Sequence, residues 1–179
     1  ELNKIAKVIL LAVLGTLLLT ISAKIKIPFY PVPMTMQTFI VLFLGITLGP
    51  KIGLLTVSLY LFEGIFGLPV FAGTPEKGIG LVYFAGPTMG YLIGFLVAVY
   101  FAGSFKYDKG PINTFLKLIF SVSFIYILGL IWLGTLIGWD KPIFKLGAEP
   151  FLLAELFKML LLLFLTPTLL KAKKLIKIT

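Results

Sequence analysis

Long apolar runs alternate along this chain with short clusters of proline, glycine and lysine. The last run, Glu149 to Leu170 (EPFLLAELFKMLLLLFLTPTLL), is long enough to cross a bilayer, because about 20 residues at ~1.5 Å rise span the hydrocarbon core. The earlier runs predict helices over residues 5–25, 35–49, 51–66, 87–105 and 114–137, with the final one over 150–170. Gly49-Pro50-Lys51 is a turn signal between the second and third runs, and Lys106-Tyr-Asp-Lys-Gly-Pro111 is a polar link between the fourth and fifth. The first run, Val8 to Ala23, follows Lys4 and Lys7. It is too long for a signal-peptide core and lacks an A-x-A cleavage site, so it predicts a membrane helix entered from the cytoplasm.

Two links have a different character. Pro28 to Pro33 carries three prolines, which cannot continue a helix and stiffen an outer loop. Gly67 to Pro87 (GLPVFAGTPEKGIGLVYFAGP) is apolar and aromatic yet rich in glycine and proline. A flexible spacer would be rich in serine and charge. Apolar, non-helical backbone at membrane depth has to be buried or line a cavity, so this segment is expected to lie over a site as a lid. In the outer loop 138–147, Trp139 is placed as an interfacial anchor.

Composition fixes the class. The chain has 179 residues, 59% hydrophobic and only 13% charged, more apolar surface than a soluble domain of this size could bury. The pattern is that of a single-domain, all-α integral membrane protein with six transmembrane helices. A net charge of +9 could indicate a nucleic-acid partner. The lysines, however, sit in short loops and at the ends of apolar runs, which is the signature of topology. Ten fall on one side (4, 7, 51, 106, 109, 117, 171, 173, 174, 177) and five on the other (24, 26, 77, 141, 145), so both termini are expected in the cytoplasm of a multi-pass cell-membrane protein. With no His, Cys or Arg and no P-loop, the usual nucleophilic, zinc and nucleotide-binding chemistries are missing. No enzyme activity, metal or cofactor is expected.

One pair of charges stands inside a membrane run. Glu155 and Lys158, at i and i+3, fall on one helix face. Lys158 lies seven residues beyond Phe151, roughly 10 Å deep, which makes snorkelling awkward. Such a pair is either a structural salt bridge or part of a ligand site opening toward Glu149. Glu63, near the outer end of its run, is either an interfacial acid or a second partner for Lys158. Ala12, Thr16, Thr20 and Ala23 form a small-residue stripe on the first helix, suited to close approach of another helix, either within the chain or from a partner subunit.

Several blocks together resemble the BioY family: Val32-Pro-Met-Thr-Met-Gln37-Thr-Phe, Leu48-Gly-Pro-Lys51, Gly67-Leu-Pro-Val-Phe-Ala-Gly73, and Gly86-Pro-Thr-Met-Gly-Tyr-Leu-Ile-Gly-Phe95. They cover nearly the whole chain in order. The resemblance implies a substrate-binding (S) component of an energy-coupling factor (ECF) transporter: a bundle with an outward-facing pocket for biotin, working in the lipid bilayer with a membrane scaffold subunit and two ATPase subunits. It implies that Glu155 and Lys158 belong to the pocket, together with Gln37, Phe71, Gly73, Val82, Tyr83 and Tyr91. Biotin's ureido ring presents two N–H donors and one carbonyl acceptor, which a carboxylate and an ammonium complement. Its carboxylate calls for Lys77 or backbone N–H groups of the glycine-rich lid. Ala12 and Thr16 become the face that docks on the scaffold subunit. Ala154-Glu155 stands where the family pattern has Gly-Asp, a longer acid that leaves room for another small vitamin as ligand. Beyond that resemblance, an intramembrane enzyme using Glu155 or a structural membrane subunit are the alternatives from other classes.

Overall fold

A computed structural model describes residues 2–28 and 30–176; Lys177, one of the lysines counted above, lies outside them. The chain runs α1 (Leu2–Lys24), β1 (Lys26–Ile27), β2 (Met34–Thr35), α2 (Gln37–Ile65), α3 (Gly80–Phe84), α4 (Met89–Ser104), α5 (Gly110–Ile137), α6 (Ile143–Gly147), a 3-10 turn (Glu149–Phe151) and α7 (Leu152–Ile176).

The hydrogen-bonded helix α2 is in fact a hairpin. Gly49 stands inside it at φ 79°, ψ 176°, a left-handed backbone that glycine adopts without Cβ strain, and Pro50 follows as the first residue of the returning arm. The two arms are then antiparallel: Gln37 Nε2 donates to Tyr60 Oη at 2.7 Å across 23 residues of chain. Counting the arms separately, six helices build the bundle, as the apolar runs predicted.

Close backbone approach holds the centre. A Cβ on Gly45 would fall 2.6 Å from the Val99 carbonyl oxygen, and one on Gly103 would fall 2.5 Å from Pro50 N. The arms of α2 therefore pack on α4 with almost no side-chain spacer, the small-residue contact favoured between membrane helices. These three elements are short. α4, with 16 residues, spans about 24 Å, whereas α5, with 28, spans about 42 Å. Because α4 meets the α2 turn at Gly103, the shortfall collects at the opposite end, as a recess roofed by residues 67–86.

That roof is tied down by lysines. Lys24 Nζ donates to the Phe71 carbonyl (2.8 Å), the Thr74 carbonyl (2.5 Å) and Thr74 Oγ1 (3.2 Å), using all three ammonium donors. Lys26 Nζ donates to the Ala72 carbonyl at 2.6 Å. Trp132 Nε1 holds the far end through the Gly86 carbonyl at 2.7 Å. The roof differs from expectation in one respect, since Gly80–Phe84 closes a short helix within it.

The small-residue stripe faces inward. Ala12 and Thr16 are buried, with exposures of 2% and 3%, and a Cβ on the intervening Gly15 would lie 2.3 Å from Thr56 Cγ2 of α2. The expectation that Ala12 and Thr16 form a partner-docking face is corrected: that face is spent on α2, and the exposed side of α1 carries Ile9, Leu10, Leu14, Leu17 and Ile21 instead. Glu63 belongs to the same contact. It lies against Thr16 of α1 and is no partner of Lys158.

Candidate functional site

Beneath the roof lies a partly enclosed cavity of about 60 Å³. Its polar wall comes from three places in the sequence. The β1–β2 ribbon, paired Lys26 with Thr35, delivers Thr35 at the mouth of α2. The first turn of α2 contributes Gln37 and Thr38, α5 contributes Tyr126, and α7 contributes Lys158.

Lys158 Nζ donates to the Thr35 carbonyl at 2.7 Å and to Thr38 Oγ1 at 3.1 Å, and stands 3.5 Å from Glu155 Oε2. Glu155 accepts from Thr38 Oγ1 at 2.7 Å and from Tyr126 Oη at 2.6 Å. Both charges are buried, Glu155 at 5% exposure and Lys158 at 8%. Two buried ions are tolerable only when paired and hydrogen-bonded, and here every oxygen of the carboxylate has a donor. Thr38 carries the arrangement, donating a hydrogen bond to Glu155 while its hydroxyl oxygen accepts one from Lys158. A second chain continues the wall: Gln37 Nε2 donates to Tyr60 Oη, which donates to the Val70 carbonyl of the roof at 2.8 Å.

The apolar side is aromatic. Phe71 and Tyr83 stack with ring centroids 5.7 Å apart, and Tyr91 meets Tyr126 edge-on at 6.2 Å. Tyr91 is fixed by its hydroxyl on the Gly147 carbonyl at 2.7 Å. Tyr83 accepts the Gly73 N–H at 2.8 Å, and burial pushes its phenol above the ordinary tyrosine range, so it stays neutral.

Of the residues singled out in the sequence, Gln37, Phe71, Tyr83, Tyr91 and Lys158 line this one cavity. Three do not. Glu155 sits behind the wall, facing the cleft between α5 and α7, and reaches the cavity only through Thr38, Tyr126 and Lys158. Gly73 and Val82 line a separate outer chamber, and Val82 is 83% exposed, which rules it out of the apolar wall. Thr35, Thr38 and Tyr126 escaped the sequence reading. A signal for Tyr126 was present, since it is the single tyrosine in α5 and a phenol in mid-membrane needs a partner. Thr38 gave none, because a threonine in an apolar helix usually bonds its own backbone. Ser121 does so here, donating to the Lys117 carbonyl.

A six-helix membrane bundle that encloses one small, polar-walled, aromatic-roofed cavity defines a membrane-embedded binding protein for a small solute. Comparison with known proteins agrees and narrows the class: the chain matches the BioY family over residues 2–175 and belongs to it. It is 36% identical over 153 residues to a probable biotin transporter BioY of Pyrococcus horikoshii, covering 86% of this chain and 90% of that one. It is 35% identical over 145 residues to the biotin transporter BioY of Thermotoga maritima, covering 80% and 84%. The crystal structure of the S-component for biotin from an ECF-type ABC transporter superposes with a TM-score of 0.78 at 26% identity, covering 96% of this chain and 94% of that one. The first two relatives are transporters by name, and the third is a component of one.

Proposed function

We propose that this protein is the biotin-binding component of a membrane vitamin-uptake system, capturing biotin at the outer face and passing it inward with a separate energising module. The observation that carries this is the buried Lys158, held by Thr35, Thr38 and Glu155 with its ammonium on the cavity wall. The ureido carbonyl accepts the third Lys158 N–H, the one not given to Thr35 or Thr38, which faces Glu155 Oε2 only as an ion pair at 3.5 Å. The ureido N–H groups find acceptor lone pairs on Tyr126 Oη and Thr38 Oγ1, the two hydroxyls that Glu155 orients. The thiophane ring lies against Phe71, Tyr83 and Tyr91. A cavity of about 60 Å³ has room for only a few waters at ~10–15 Å³ each, so seating the bicyclic ring moves the Phe71–Tyr83 roof outward.

The module is a membrane scaffold subunit with two ATPases, which supply the ATP-driven step for which this sequence has no P-loop. The protein lies in the cell membrane with both termini in the cytoplasm. Supporting this, Lys173 comes within 3.8 Å of the position a Cβ on Gly49 would take, so the Lys51 turn and the lysine-rich end of α7 share one end of the bundle, opposite the roof.

The test is a thermal-shift panel on detergent-purified protein with biotin, thiamine and riboflavin. A ligand that binds only the folded state raises Tm, and biotin alone is expected to do so. A shift with thiamine or riboflavin and none with biotin would assign the cavity to another vitamin.

A further inference from the structure

Helices α5 and α7 meet at the site, where Tyr126 Oη donates to Glu155 Oε2 at 2.6 Å. Toward the lysine-rich end of the bundle they part and leave an open groove of about 640 Å³. Gly110, Pro111 and Thr114, at the start of α5, form one wall, and Leu160, Leu163, Phe164, Pro167 and Leu170 of α7 form the other. The α7 wall runs ten residues, about 15 Å along the helix. The groove is apolar in effect, because its polar groups are turned onto backbone: Thr166 Oγ1 donates to the Leu162 carbonyl and Tyr107 Oη to the Ala102 carbonyl, both at 2.7 Å.

The wall then changes character without changing face. Lys171 and Lys174 follow Pro167 and Leu170 at i+4, so two exposed ammonium groups continue the apolar stripe past the end of the groove. Lys173 leaves this face and turns toward Gly49 of α2. Across the groove Lys109 precedes Gly110, and Lys117 Nζ lies 5.9 Å from the ring of Tyr107, a groove residue. Lys117 is committed to the Lys106 carbonyl, but Lys109, Lys171 and Lys174 make no side-chain hydrogen bond or ion pair among the described residues. Asp108 is the single acid in residues 106–117 and 160–176. A helix C-terminus and membrane topology both favour lysines here, but neither calls for an open apolar groove leading into them.

We infer that this groove is a binding site for an anionic phospholipid, with one acyl chain along Leu160–Leu170 and the phosphate held by Lys109, Lys171 and Lys174. An apolar slot between helices that opens into unpaired cations matches both halves of such a lipid, whereas a zwitterionic lipid offers the same chain with its phosphate charge already offset. The inference is independent of the ligand in the roofed cavity.

Native mass spectrometry of the full-length protein in detergent, with equimolar phosphatidylglycerol and phosphatidylcholine of identical chains, tests this. The unaltered protein is expected to retain phosphatidylglycerol over phosphatidylcholine by roughly five- to tenfold. Lys171→Gln/Lys174→Gln should remove most of that preference, while Lys141→Gln/Lys145→Gln, the same loss of charge at the opposite end, should leave it intact. Leu160→Trp, at a half-exposed position on the groove wall, should reduce retention of phosphatidylglycerol with every lysine in place. No preference in the unaltered protein, equal losses from the two lysine pairs, or full retention in Leu160→Trp would each overturn the site. The first result would leave the groove free for a helix of a partner subunit, and the second would reduce the effect to bulk attraction.

Discussion

At the scale of residues, the site turns on a buried ion pair that does two jobs. Lys158 faces the cavity, whereas Glu155 fixes Lys158 from behind with help from Thr38 and Tyr126. Removing one member of a buried pair leaves an uncompensated charge, typically at a cost of about 3–5 kcal/mol, while replacing both with apolar groups of similar size is close to neutral. Glu155→Leu is therefore expected to lower unfolding stability by roughly that amount, and Glu155→Leu/Lys158→Met to recover most of it without recovering ligand binding. Thermal unfolding in detergent reads the first effect and titration the second. A double variant as unstable as the single would mean that the pair is not what makes Glu155 matter. The sequence revealed this pair because two charges three residues apart in an apolar run have few explanations. It could not reveal that Thr38 and Tyr126 complete it, because a hydroxyl on an apolar helix costs little wherever it points. Nor could it tell the Lys158 side of the pair from the Glu155 side, which depends on where α5 crosses α7.

At the scale of elements, turns were more legible than faces. Gly49-Pro50 announces its turn through chemistry that belongs to two residues, a positive φ followed by a ring that starts a helix. The short central helices were visible as short apolar runs, and the recess above them follows from their length. The stripe of Ala12, Thr16, Thr20 and Ala23 predicted close packing, but packing is a property of two surfaces and the stripe shows only one. Here the second surface is α2. Ala12→Trp is accordingly expected to damage the fold, since overpacking a filled contact costs about 1–3 kcal/mol or more. Leu14→Trp on the exposed side of the same helix should leave thermal stability nearly unchanged. A stable Ala12→Trp protein that folds normally yet fails to work with its energising module would return the stripe to a docking role.

At the scale of the whole molecule, charge and shape point the same way. Lysine-rich turns gather at one end, and the roofed recess with its cavity lies at the other. The chain thus presents a binding site on one face of the membrane and a basic surface on the other. What joins these into a function is the claim that the recess holds biotin through Lys158. Titration calorimetry of biotin into the purified protein and into Lys158→Ala tests that claim most directly. Saturable one-to-one binding to the unaltered protein, lost in a Lys158→Ala variant that remains folded, is the expected result. Unchanged affinity in Lys158→Ala would contradict it.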